Sequence, residues 1–105
     1  MGKLYAVRRN CLVQCLERQF QGRVHFFGDE AGLHLLVQIK TTASEKAIVE
    51  QSYKYGVKVY SAGEYYITSK PDQATFLLGY ANLTEHQIYE GIERFAYAEN
   101  ICRRN

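Results

Sequence analysis

Thr75-Phe76-Leu77-Leu78-Gly79-Tyr80-Ala81-Asn82-Leu83-Thr84-Glu85 is the stretch whose reading decides the fold. Its apolar run Phe76-Leu77-Leu78 has the length and character of a buried strand, expected over Thr75 to Tyr80. Just beyond it the chemistry changes. Thr84 and Gln87 have capping-box spacing, in which a hydroxyl and a side-chain amide each satisfy a free backbone group at a helix start. Leu83 precedes that cap and Ile88 lies four positions after it, so the two can form a hydrophobic staple. Ile88, Ile92 and Phe95 then recur at helical spacing, with Glu85, Glu90 and Glu93 mostly outward.

Working back from this strand and helix, the same patterns repeat. Leu4, Cys11, Leu12, Cys15, Leu16 and Phe20 define one face of a helix from Lys3 to about Phe20, ended near Gly22. Val24 to Phe27 and Leu33 to Ile39 read as antiparallel strands around the turn-forming cluster Gly28-Asp29-Glu30-Ala31-Gly32. Thr42 and Glu45 suggest a second capping box, opening a helix from about Ala43 to Tyr55. Ala47, Ile48, Gln51 and Tyr55 continue it at helical spacing, and Gly56 can close it in a left-handed conformation. A strand from Val57 to Ser61 follows, with Val57 and Val59 on one face, and Tyr65-Tyr66-Ile67-Thr68 resumes extended structure before the loop Ser69-Lys70-Pro71-Asp72. The expected fold is α/β in the two-layer α+β sense: a small mixed or antiparallel sheet with helices mainly on one face, in one domain over residues 1–105 with no internal linker.

Composition narrows the class. With 105 residues, 47% hydrophobic and 23% charged, the chain is an ordinary globular domain able to bury roughly two-thirds of its unfolded surface. Thirteen basic and eleven acidic residues leave a net charge of +2, too small to indicate a nucleic-acid or membrane partner. Arg8-Arg9 and Arg103-Arg104 are local clusters. No apolar run approaches the ~20 residues that span a bilayer, and the start lacks a signal-peptide core, so a cytoplasmic location is expected.

Residues that could carry chemistry are few. Cys11 and Cys15 share the apolar helix face, and with Cys102 they show no metal-ligand pattern, so core packing is expected of them. His25 and His34 lie on adjacent expected strands and could approach each other, while His86 belongs to the exposed first turn of a capped helix. No third ligand accompanies them, and no metal site follows. The glycines are scattered, so no phosphate-cradling loop is indicated.

Taken together, Leu77–Glu85, Gly32-Leu33-His34-Leu35-Leu36-Val37, Gly56-Val57-Lys58-Val59-Tyr60 and the Arg8-Arg9 helix carry a resemblance over nearly the whole chain. They resemble the C-terminal small-domain portion of the aminotransferase-like, fold-type-I pyridoxal-phosphate domain found in MocR/GabR-like regulators of the GntR family. The resemblance implies a larger parent containing a cofactor-binding large domain and a DNA-binding winged helix. It implies pyridoxal phosphate in that parent, an amino-acid-like effector and a possible homodimer. None of Lys3, Lys40, Lys46, Lys54, Lys58 or Lys70 sits in the family's Schiff-base context, so no catalytic residue and no cofactor-binding residue is expected in this portion.

The resemblance also supplies four pocket candidates: Glu64, Tyr65, Tyr66 and Leu77. Fold-type-I aminotransferases place an arginine on the strand matching Thr75–Tyr80, where its guanidinium pairs with the substrate carboxylate. Leu77 stands at that position here. Where relatives write Ser-Arg-Tyr-Tyr, this chain has Gly63-Glu64-Tyr65-Tyr66, an acid in place of a base. Either change weakens ordinary amino-acid recognition, while Leu77 as plain core and Tyr65-Tyr66 as packing are the competing readings. Three functions follow: an effector-sensing subdomain of a transcriptional regulator, a piece of a true aminotransferase, or a free-standing α/β interaction domain. In the first two, the first helix and Tyr65-Tyr66 face a large domain, so the separate chain exposes apolar surface there.

Overall fold

The computed structural model describes residues 2–27, 34–62, 73–80 and 82–104. Its elements are α1 (Gly2–Phe20), β1 (Val24–Phe27), β2 (His34–Lys40), α2 (Glu45–Lys54), β3 (Tyr60–Ser61), β4 (Gln73–Gly79) and α3 (Glu85–Arg104). The expected turn at Gly28–Gly32, the extended segment Tyr65–Thr68, the loop Ser69–Asp72 and the side chain of Leu4 lie outside the described residues.

The strands form one antiparallel sheet in the order β1-β2-β4-β3. Alternation along each strand divides the sheet. Leu35, Val37 and Ile39 of β2, with Ala74, Phe76 and Leu78 of β4, point to one face and are almost wholly buried. Leu12, Leu16 and Phe20 of α1, Ile48 of α2, and Ile88, Ile92 and Phe95 of α3 belong to the same core. The helices thus cover one face in two layers, and the Phe95 ring meets Phe20 and Phe76 edge-on at 5.7 and 5.3 Å between centroids. Burying a side chain of this size contributes roughly 1.5–3 kcal/mol.

The end of β4 is built as its sequence indicates. Thr84 N–H donates to Gln87 Oε1 at 2.9 Å and Gln87 N–H to Thr84 Oγ1 at 3.1 Å, a reciprocal capping box. Ile88 is buried and Leu83 packs against the core, completing the staple. Gly56 closes α2 with φ +82, a conformation that favours a residue without Cβ.

The second proposed capping box does not form. Ser44, not Thr42, caps α2, and its hydroxyl accepts from Ala47 N–H. Glu45 begins the helix instead of closing a box, and its carboxylate accepts from the Ser61 hydroxyl at 2.8 Å. The buried positions of α2 are Ile48 and Ser52, whereas Tyr55 is exposed and meets Tyr97 edge-on at 5.2 Å. The strand expected from Val57 is confined to Tyr60–Ser61, although Val59 is buried.

One buried group escaped the pattern. Glu99, 1% exposed, lies on the apolar side of α3 and accepts from Arg23, Arg103 and the Thr41 hydroxyl. Arg23 also donates to the Lys40 carbonyl at 2.9 Å, tying the start of β1 to the end of β2. Four groups thus meet where three elements converge.

Replacing Thr84 by Ala removes one partner of the reciprocal cap and should lower stability by ~1 kcal/mol. The urea midpoint reads this directly. An unchanged midpoint would place the start of α3 elsewhere.

Candidate ligand-facing surface

Leu77, one of the four candidates suggested by sequence, lies on the face of the sheet opposite the helices. Register aligns Phe27 with Leu36, Leu36 with Leu77, and Leu77 with Tyr60, one row across all four strands. Leu77 is half-buried, unlike its fully packed neighbours Phe76 and Leu78. It therefore lies outside the hydrophobic core, on the sheet face that the helices leave open. Phe27 and Tyr60 at the ends of the row are 44% and 50% exposed. Glu64, Tyr65 and Tyr66 lie outside the described residues.

Beside Leu77, His34, Lys58, Tyr60, Gly79, Asn82 and Leu83 help line an open concavity of about 380 Å³. Lys58 Nζ sits 5.6 Å from the centre of the Tyr60 ring, within range of a cation–π contact. The arrangement offers an apolar floor, one cation and one imidazole at its rim. It can bind or exclude by shape and charge. Among the described residues, no carboxylate lines the Lys58 concavity.

The histidines are not brought together. His25 pairs with Gln38 and His34 with Gly79, so the strand register separates them. His86 is exposed and meets Glu90 at 3.1 Å on its own helix. Among the described residues no group of three metal-ligating side chains converges. Cys15 is buried, and its thiol is pushed up to about 11 chiefly by that burial, with further contributions from Cys11. Burial likewise raises the Cys102 thiol, helped by Glu99. Sequence reading missed the Arg23–Glu99–Arg103 cluster, although Glu99 continues the Ile88, Ile92, Phe95 spacing and a charge on an apolar stripe was the available signal.

The fold is that of the C-terminal small domain of aminotransferases. Kynurenine aminotransferase of Pyrococcus horikoshii superposes with a TM-score of 0.77 at 26% identity, over 94% of this chain and 24% of that one. The multiple substrate aminotransferase of Thermococcus profundus gives 0.76 at 21% identity, over 95% of this chain and 25% of that one. In sequence, the chain is related to HTH-type transcriptional regulators. It is 32% identical over 101 residues to the uncharacterized regulator YdeL of Bacillus subtilis, covering 96% of this chain and 22% of that protein. It is 29% identical over 98 residues to YhdI of the same organism, covering 93% and 21%. The chain thus spans about a fifth of the length of the curated relatives it matches. No protein-family model matches it. No helix among the described residues is long and apolar enough to cross a membrane.

Two measurements check this surface. Leu77→Arg should cost less than ~1 kcal/mol, because on the half-buried face the guanidinium can reach water, whereas Leu78→Arg buries an unpaired cation and should unfold the chain. Equal losses in urea denaturation would remove Leu77 from the open face. For Cys15, alkylation at pH 8 should be far slower than in the denatured chain, since the thiolate is the nucleophile. Stability linked to its neutral thiol is complete below the ordinary value of 9.0 and is lost as pH rises towards about 11. Equal labelling rates in folded and denatured protein would contradict that burial.

Proposed function

We propose that this chain is the ligand-sensing, C-terminal subdomain of a GntR/MocR-type transcriptional regulator and does no catalysis on its own. The observation that carries the reading is the pairing of an aminotransferase small-domain fold with sequence relatives that are regulators. The open sheet face supports it. Leu77 occupies the strand position where the resemblance implies a carboxylate-binding arginine in enzymes, and leucine supplies no hydrogen-bond donor.

In this proposal a separate large domain holds pyridoxal phosphate, which supplies the electron sink for amino-acid chemistry when bound. This chain contributes the Phe27–Leu36–Leu77–Tyr60 row as a wall over an amino-acid-like effector. Closure of that wall shifts the population seen by an attached winged helix, provided the effector binds the closed form better. A location in the cytoplasm and a homodimeric parent belong to the same proposal, with no direct nucleic-acid contact from this domain.

The competing reading, part of a working aminotransferase, rests on the structural neighbours being enzymes. The reading frame around this sequence separates the two. A winged helix followed by a cofactor domain upstream is expected. A cofactor domain alone would favour the enzyme, and neither would leave a free-standing interaction domain. The chain itself, mixed with pyridoxal phosphate and desalted, should retain no cofactor absorbance and should turn over no amino-acid and keto-acid pair. Sustained turnover would overturn the proposal.

A further inference from the structure

On the open sheet face, the row next to Leu36, Leu77 and Tyr60 has a gap at its centre. His34 pairs with Gly79 across β2 and β4. Lys58 comes two residues before Tyr60, which pairs with Leu77, so the chain leading into β3 carries Lys58 alongside Gly79. Residues two apart in extended chain share a face, so Lys58 lies on the side of Tyr60 and Leu77, while Val59 between them is buried on the other. An imidazole and an ammonium thus flank a position that has no side chain. With Tyr60 and Asn82 they border one concavity of about 380 Å³.

Gly79 keeps the gap open. Its φ lies outside the left-handed region, so the backbone does not demand glycine there. A Cβ added to it would stand 3.4 Å from His34 Cδ2 and 3.7 Å from Nε2. Glycine weakens a strand and often marks a place where a ligand comes close to the backbone. Donors surround this one: the Lys58 ammonium, the Tyr60 hydroxyl and the Asn82 amide, with the imidazole beside them. Lys58 makes no ion pair among the described residues. Glu90, which borders the neighbouring cleft, is met by His86 at 3.1 Å.

Building on the reading of the open face as an effector wall, we propose that the gap above Gly79 takes the carboxylate of an effector whose apolar stretch lies along Leu36, Leu77 and Tyr60. One cation and several neutral donors match a single negative charge better than the double charge of a phosphate. Two residues along a strand span about 6.6 Å, so a short alkyl chain reaches from the Gly79 row to the Leu77 row. The concavity also borders Asn82 and Leu83, which lead into α3, and the positive end of that helix lies beside them. Glu85 in its first turn offsets part of this field. The acid is thus held by Lys58, one row away from Leu77, which itself has no donor.

The test is an amide NMR titration of the chain with hexanoate, and separately with hexanamide, at constant ionic strength set by sodium chloride. Hexanoate should give saturable shifts around residues 34, 58, 60, 77 and 79, and hexanamide, which has the same length without the charge, should bind about tenfold more weakly. Lys58→Gln should weaken hexanoate binding by a similar factor. Gly79→Ala should weaken it as well by filling the gap. Lys54→Gln, which removes an exposed cation outside the concavity, should leave it unchanged. Equal binding of acid and amide, no saturation with hexanoate, or equal losses from Lys58→Gln and Lys54→Gln would each overturn the carboxylate site. Those outcomes leave the regulator reading standing, because the flanking reading frame decides it separately.

Discussion

The buried carboxylate of Glu99 is the constraint around which the far end of the molecule is organised. A lone ionised group there would be costly, since taking a charge out of water is repaid only by close, well-aligned partners. Its partners come from separate places in the chain: Arg23 at the entry to β1, Thr41 just after β2, and Arg103 one turn along α3. Satisfying one group therefore fixes how the sheet's first two strands meet the last helix. Apolar contacts along Phe20, Phe76 and Phe95 bring these elements together without specifying their register, and the ion-paired cluster adds direction. Because both arginines keep contact with water, the cluster avoids the full desolvation penalty of an enclosed pair.

The two faces of the sheet have different characters for a single reason, the period of two along each strand. Phe76 and Leu78 join the helices in a close-packed interior, while Leu77 between them joins Leu36 and Tyr60 on the other side. A shift of one residue in β4 would exchange these sets, so the buried face holds the exposed row in place. A substitution at Leu77 therefore costs the fold less than one at Phe76 or Leu78.

Much of this was legible in the residues because local rules and tertiary packing agreed. Leu83, Thr84, Gln87 and Ile88 specify the start of α3 through contacts within one turn, and no distant group competes with them. Thr42 and Glu45 had the same spacing, yet distant groups prevailed. The neighbouring Thr41 hydroxyl is drawn to Glu99 while accepting from Ala43 N–H, and Glu45 is drawn to Ser61, so the cap passes to Ser44. Glu99 itself was illegible for a related reason. Helical spacing marks its position as inward, but nothing in the linear sequence pairs it with Arg23, which is 76 residues away. The site candidates drawn from family likeness were legible only as positions. The face of Leu77 followed from strand register, which one sequence does not supply.

The packing of α1 against α3 has a consequence for how the chain acquires its structure. The first and last elements share the core, Cys11 Sγ approaches the Glu85 carbonyl at 3.8 Å, and Phe20 meets Phe95. The central pair of strands, β2 and β4, also joins distant segments, with Leu36 opposite Leu77. These pairings join distant segments, so their loop-closure entropy must be overcome before they can form. Until α3 is present to cover it, the apolar stripe of α1 stays exposed, which makes that stripe the surface of this domain most in need of protection from aggregation.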